Sequence, residues 1–383
     1  MNLILSEINF LNVNRTIDFF NSKCNNELKG EIFIENNDKI LSLNSKKIFI
    51  KSYGELRFKE FLKKSSICSR FEFPNEVQVL MKELMSSINE ENADSIKRIL
   101  DKIYQFPFAE IYNINFVFSM AVWLLKDSCV QEKNTYFITN TGYINSTQIN
   151  MPYTLANGDQ KNVDLNDYEW LKVEEYFELL YPIMTKPLSE KAVISYHSNE
   201  SFSIITENMD RSKESSFIRA LISVQQARRN GQLSVKIDFY FQALQCIFAL
   251  EGIKSTVISK YIIKICTNLL NQKQSDASSI ATIISKSNKL ILKKNSESNQ
   301  EEQNTFKSIL KKSFKIRSKQ SHGNKINESK DEIINLAKSM DNLVRRVLLI
   351  VLKNPDLNYT TKKEAEKVAD YFLKLEDIDS NDI

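Results

Sequence analysis

"QLSVKIDFYFQALQCIFALE", residues 232–251, is apolar nearly all the way round its helical wheel, and Gly231 and Gly252 bracket it. A surface helix carries one apolar stripe, whereas a helix apolar on every side belongs at the centre of a bundle. The flanking sequence supplies the rest of such a bundle. Upstream, residues 216–229 place Phe217, Leu221, Val224 and the small Ala220 and Ala227 on one stripe. Downstream, the periodicity predicts helices over about 255–271, 276–293, 303–321, 328–353 and 361–375. NSESNQEEQN (295–304) is a loop by composition, and Pro355 ends the long helix that carries LVRRVLLIVL. Residues 215–376 are therefore expected to form an all-α bundle, followed by an acidic tail over 377–383.

The first half has a different character. Up to about residue 54, β-rich runs such as EIFIE (31–35) and KIFIKSY (47–53) alternate with Asn, Asp and Lys turns, which predicts a small sheet. Helical periodicity follows over 75–89, 92–104 and 108–127, then a strand-like TYFITNTGYI (135–144), a helix near 167–181, and strand-like AVISYH and FSIITE within 192–207. The polar ENMDRSKESS (207–216) reads as a linker. The expected fold class is thus an α+β N-terminal region (1–207) followed by an all-α helical bundle (215–376), mainly α overall. The first region is expected to sense a trigger or bind a partner.

Composition narrows the chemistry. At 383 residues, with 42% hydrophobic and 26% charged residues, the chain is expected to fold as a soluble globule of two or three domains. The start, MNLILSEINFLNVNR, lacks a basic leader and meets Glu7 early, and the most apolar run, NFVFSMAVWLL (115–125), is shorter than the roughly 20 residues that cross a bilayer. Five scattered cysteines, never arranged as CxxC, predict reduced thiols in a cytoplasm and no zinc site. The seven glycines form neither GxGxxG nor GxxxxGK[ST], so no phosphate-cradling loop is expected. No metal or other cofactor is called for. The net charge of +4 is too small to identify a partner, so its distribution must.

That distribution points to KIRSKQSHG (315–323), which holds His322, one of only two histidines in the chain. On a helix over 303–321, Phe306, Leu310 and Phe314 form the apolar stripe, and Arg317 falls within about 20° of Phe306 and Leu310 at 100° per residue. A guanidinium on a packed face needs a paired acid, a route to water, or a site that uses it. His322 lies about 140° round from Arg317 in an unbroken helix. Gly323, as a left-handed cap, would end the helix and let the imidazole turn back; alternatively the two groups meet across a dimer axis. From Gln303 to Ile326 there are seven cations, Lys307, Lys311, Lys312, Lys315, Arg317, Lys319 and Lys325, and no acid, a pattern that attracts phosphates.

The plainer readings are an Arg317 paired with Glu251 or Asp238, a His322 favoured only by the helix dipole, and lysines forming a solvated face. Asp238 and Glu251 themselves read as structural acids that orient Arg317 or cap backbone. His197, in a strand-like run, reads as structural.

RSKQSHG resembles the R-x(4-6)-H signature of the HEPN superfamily, and its RS…HG form, with ALEG at 249–252 upstream, is most similar to the Apea-like branch. The resemblance covers residues 215–376. It implies a HEPN-like bundle and a metal-independent endoribonuclease that works as a homodimer on RNA, in toxin–antitoxin or anti-phage defence, restrained by an antitoxin or released by a phage-derived trigger. It implies that Arg317 stabilises the phosphoryl transition state and that His322 moves protons at the ribose 2′-hydroxyl; Ser318, Glu251 and Asp238 are read beside them as supporting residues. Lys311, Lys312, Lys315, Lys319 and Lys325 would bind RNA. Ser318 stands where Asn, Asp or His is frequent in the family. Other members of the superfamily are inactive, so the second reading is a non-catalytic interaction or RNA-binding module. The two differ at Arg317: a nuclease holds it in a solvent-reachable cleft, a module seals it against a carboxylate.

Overall fold

The computed structural model describes residues 2–18, 31–71, 79, 111–138, 144–148, 152–189, 192–197, 201–206, 215–248, 311–320, 325–360 and 364. The protein is mainly helical, with a small antiparallel sheet near the N-terminus. The chain divides into two compact units, one of Met1–Leu155 with Asp159–Ser212, the other of Ala156–Gly158 with Lys213–Ile383.

The first unit is built on β1 (Asn2–Asn9), β2 (Leu11–Asn12), β3 (Glu31–Asn36), α1 (Asn37–Ile40), α2 (Leu43–Leu62), β4 (Ser65–Phe71), α3 (111–125), β5 (Gln131–Ile138) and β6 (Ile144–Gln148). After these come β7 (Val163–Asp164), α4 (Asp167–Ser189), β8 (Ala192–His197) and β9 (Ser201–Thr206). Five strands pair antiparallel in the order β3-β4-β1-β5-β6. Successive side chains of a strand point to opposite faces. In the central β1 both Ile4 and Leu5 are fully buried, so both faces of the sheet are covered.

On the Leu5 side, Leu3, Phe33, Cys68, Tyr136 and Ile138 pack against Phe49 and Phe61 of α2. The Phe49 ring lies 4.7 Å from Phe61 and 5.0 Å from Tyr136, centroid to centroid. On the opposite face, Asn115 of α3 donates to Ser6 Oγ at 2.7 Å, which lays that helix against the sheet. The run 115–125 that is too short for a bilayer is thus a core helix. Trp123 is fully buried in it, and Phe118 stacks on Trp170 of α4 at 6.2 Å. Glu7, 2% exposed, is held by Arg57 at 3.2 Å and by Asn134, and Arg57 donates to the Tyr136 hydroxyl at 2.8 Å.

Three expectations for this unit need correction. EIFIE is strand β3, but KIFIKSY is the middle of α2. Its Ile-Phe-Ile run, rich in β-branched and aromatic residues, imitates a strand, while the helix is set by Ser42, whose hydroxyl caps Ser45 N at 3.2 Å. Gly54, at φ 82 and ψ 163, then kinks the helix, so the apolar stripe of Phe49 and Tyr53 restarts at Phe58, Phe61 and Leu62. The reset hides the helical period. Likewise α4 runs past the expected end at 181 to Ser189, carrying Pro182 within it. A proline there removes only one intrahelical hydrogen bond, and Trp170, Val173, Phe177 and Leu180 on the buried side hold the helix. The strand expected at 135–144 is two strands, β5 and β6. The helices expected at 75–89 and 92–104 lie outside the described residues.

The second unit contains α5 (Ser216–Arg229), α6 (Leu233–Phe248), α7 (311–320), α8 (Lys330–Lys353) and a 3-10 turn at Pro355–Leu357. Phe217, Ala220, Leu221, Val224 and Ala227 of α5 are all buried, and no residue of α6 is exposed. α6 therefore occupies a central position. Lys236 of α6 is fully buried and donates to the carbonyl of Ala227 at 2.9 Å, which satisfies a backbone acceptor at the end of α5. α8 begins with a complete capping box, Ser329 with Glu332, and buries Leu336, Met340, Val344, Val347, Leu348 and Val351. Each such side chain contributes about 1.5–3 kcal/mol over its exposed state. After Pro355 the chain returns to α5, where Asn358 Oδ1 accepts from Phe217 N at 3.1 Å and the Tyr359 carbonyl accepts from Ser216 N at 2.7 Å. The expected helices at 255–271, 276–293 and 361–375 lie outside the described residues. Among the described residues no helix is long and apolar enough to cross a membrane. Cys68, Cys129 and Cys246 form no disulfide.

Candidate functional site

α7 carries the motif, and its packing follows from its sequence. Ser313 and Ile316 are fully buried, Arg317 and Gln320 are half-buried, and Lys311, Lys312 and Lys315 are exposed. Positions 313, 316, 317 and 320 form one helical face. Arg317 thus sits on the packed side of the helix, and that side turns toward α6. Its Nε donates to Asp238 Oδ1 at 2.9 Å. The guanidinium carbon lies 5.3 Å above the centroid of the Phe241 ring, within cation–π range, and Phe241 meets Phe314 at 5.6 Å. The second oxygen of Asp238 accepts from Gln242 Nε2 at 3.3 Å. The side chains of Arg317 and Asp238 are each 21% exposed, so the pair is accessible from one side.

Among the described residues Arg317 meets Asp238, one of its two expected partners. Glu251 and His322 lie outside the described residues. Ser318 is half-buried on α7, about 100° round from Arg317. Phe241 and Gln242 were not singled out in the sequence. The signal that identifies Gln242 is its spacing, four residues after Asp238 on one helix face. Phe241 gives no such signal, because an aromatic residue in an all-apolar helix reads as core.

The lysines separate into two groups. Lys319 reaches both carboxylate oxygens of Glu328 at 3.1 Å, and Lys312 lies 3.7 Å from Glu332. Burial pushes the Glu328 carboxyl up, but hydrogen bonds from Lys319 and from the backbone amides of Glu328 and Asn327, with the Lys319 charge, together hold it below its ordinary value. Glu332 is also held down, first by the backbone and side chain of Ser329 and then by Lys312. The acid-free sequence run is therefore met in space by acids at and just before the start of α8. Lys311, Lys315 and Lys325 are exposed and make no ion pair among the described residues. Lys315 lies about 200° round α7 from Arg317, and Lys311 about 120°. They face away from the guanidinium.

A second charged group lies deeper. Asp341, fully buried on α8, accepts from Tyr240 Oη and from Arg345 Nε, both at 2.8 Å. It joins α6 to α8 and offers no open side. His197 pairs with Ser201 in the β8–β9 hairpin. Among the described residues no three His, Cys, Asp or Glu side chains gather as metal ligands would.

The arrangement around Arg317 has a defined chemistry. It presents a partly exposed cation held through Nε, a group suited to an oxyanion or phosphate. Comparison of the chain with family models, curated proteins and solved structures finds no match.

Proposed function

We propose that the C-terminal unit is a HEPN-like, metal-independent endoribonuclease, a toxin-like or anti-phage effector that cuts RNA by attack of the ribose 2′-hydroxyl. The observation that carries this reading is Arg317, oriented through Nε by Asp238 and left 21% open rather than sealed. In the proposed site Arg317 stabilises the charge that develops on the phosphorane, His322 transfers protons, and Asp238 orients the guanidinium. Lys311, Lys315 and Lys325 add a basic field around α7 that draws in the RNA backbone. The active form is a homodimer, because one Arg and one His per chain make a sparse site that an isologous contact doubles. Light scattering tests that form, and a strict monomer at micromolar concentration would count against it. The remaining partners are an antitoxin or a phage-derived trigger, met by the first unit, and the setting is cytoplasmic.

The Arg317–Asp238 contact also favours a second reading, a non-catalytic interaction or RNA-binding module in which the pair is structural. One experiment separates them. Wild type and Arg317→Ala are induced in a bacterial host and total RNA is inspected. Growth arrest with fragmented tRNA, rRNA or mRNA in the wild type alone supports the nuclease. Intact RNA in both supports the module.

A further inference from the structure

An aspartate beside an arginine usually closes on it with both oxygens, one on Nε and one on a terminal nitrogen, in a parallel fork. The pair in this protein does not. Asp238 Oδ1 takes Nε at 2.9 Å, while Oδ2 accepts from Gln242 Nε2 at 3.3 Å and makes no hydrogen bond to the guanidinium. NH1 and NH2 consequently hydrogen-bond to none of the described residues. The plane of the group is fixed as well, because Phe241 lies beneath it at 5.3 Å and Phe241 is fully buried against Phe314. Gln242 and Asp238 share one helix face at four-residue spacing, so α6 presets the geometry before any ligand arrives.

We infer that Gln242, with Phe241, positions the Arg317 guanidinium so that NH1 and NH2 together take the two non-bridging oxygens of one RNA phosphodiester. The identity of the phosphate carrier rests on the nuclease reading; the geometry of the cation does not. Gln242 is a positioning residue that acts through Asp238. Without it, Oδ2 is free to swing onto a terminal nitrogen, the pair closes into the bidentate fork, and one of the two phosphate donors is consumed. A structural pair and a phosphate site are alternative states of the same three residues, and Gln242 selects between them.

The test uses the full chain as wild type, Gln242→Met, which keeps the length without a donor, and Gln242→Lys, which restores a donor for Oδ2. Binding of a fluorescent single-stranded RNA oligomer with 2′-O-methyl sugars, which cannot be cut at the 2′-oxygen, is followed by anisotropy. The Arg317 Nε–H resonance is titrated with inorganic phosphate by NMR, and melting temperatures are recorded. Gln242→Met is expected to bind RNA on the order of tenfold more weakly with a melting temperature level with wild type or higher, and Gln242→Lys to recover most of the affinity. A structural role would lower affinity and melting temperature together, and that result overturns the inference. Equal RNA affinity in wild type and Gln242→Met also overturns it, while leaving the nuclease reading in place. If wild type binds no RNA, yet its Arg317 resonance answers phosphate and that of Gln242→Met does not, the nuclease reading and the RNA carrier fall, and the phosphate site positioned by Gln242 stands. An Arg317 resonance that ignores phosphate in wild type overturns it outright.

Discussion

Arg317 and Asp238 meet across α7 and α6 with Nε 2.9 Å from Oδ1, and each side chain keeps 21% of its surface in water. That exposure sets the energetic weight of the contact. A charge that loses its partner in a sealed core costs about 3–5 kcal/mol, whereas a half-open one relaxes toward solvent. Asp238→Ala is therefore expected to lower stability by about 1 kcal/mol, measured as a shift in urea midpoint at constant slope. A loss of several kcal/mol would mean that the pair is a structural strut and would favour the non-catalytic reading.

Asp341 gives the opposite expectation. It is fully buried and holds both Tyr240 and Arg345, so its removal strands a guanidinium and a hydroxyl between α6 and α8. Asp341→Ala is expected to destabilise the protein by about 3–5 kcal/mol. Urea denaturation of the two variants side by side makes the contrast directly, and an Asp341 loss no larger than that of Asp238 would refute it.

The described helices of the second unit were legible because they obey one period. Phe217, Leu221 and Val224 read as a buried stripe and are buried, and the all-round apolar character of 232–251 corresponds to an α6 with no exposed residue. The position of Arg317 on the packed face of α7 was legible for the same reason. What the sequence hid were contacts between elements. Glu328 and Glu332 lie outside the acid-free stretch, so their capture of Lys319 and Lys312 depends on how α8 approaches α7. In the first unit, Gly54 divides the α2 stripe in two, and the half around KIFIKSY, with its β-branched and aromatic run, then reads as a strand. A tertiary sheet face, with Tyr136 and Leu5 on it, decides the matter in favour of helix.

The Glu328 carboxyl predicts an acid limb to the stability curve. Its folded value lies below the ordinary 4.5, because burial, which raises it, is exceeded by the Lys319 hydrogen bond and charge together with the Glu328 and Asn327 amides. A group depressed in the folded state contributes stability that is fully present above its unfolded value and is lost as pH falls through its folded value. Glu35, pushed up by burial but held lower still by Thr16, the Asn36 amide and Lys39, acts in the same direction. The urea midpoint is expected to fall as pH drops below about 4.5, and Glu328→Gln to flatten part of that fall. An unchanged acid slope in Glu328→Gln would remove this pair from the account.

The two lysine groups should differ in their response to salt. Lys311 and Lys315 are exposed, whereas Lys319 is bound to both oxygens of Glu328. Each phosphate contact on a single strand contributes about 0.7 to the slope of log affinity against log salt. The double variant Lys311→Glu with Lys315→Glu is expected to weaken RNA binding and lower that slope, while Lys319→Gln leaves the slope nearly unchanged and reduces stability slightly. A Lys319→Gln slope that falls as far as the others would show that phosphate displaces Glu328.

The chemistry of cleavage offers the final test. In the proposed reaction His322 takes the proton of the ribose 2′-hydroxyl, O2′ forms a bond to phosphorus, and the bond from phosphorus to the 5′-oxygen breaks, with that oxygen taking a proton from solvent water as it leaves and His322 returning its proton to solvent. Arg317 neutralises the charge that builds on the non-bridging oxygens along the way. The fragment upstream of the cut then ends in a 2′,3′-cyclic phosphate. Because a cation and a proton carrier supply both requirements, EDTA is expected to leave the rate unchanged. A 2′-deoxy sugar at the scissile position removes the nucleophile, so that substrate should bind and resist cutting, and DNA should be spared for the same reason. Arg317→Ala and His322→Ala are each expected to lower the rate by on the order of 10² or more. Melting temperatures distinguish lost chemistry from lost fold: an inactive Arg317→Ala protein that melts within a few degrees of wild type supports the catalytic role, and one that has unfolded supports the structural one. Cleavage that stops in EDTA, or that proceeds on the 2′-deoxy substrate, would overturn the mechanism, because neither result is compatible with a 2′-hydroxyl activated by a side chain alone.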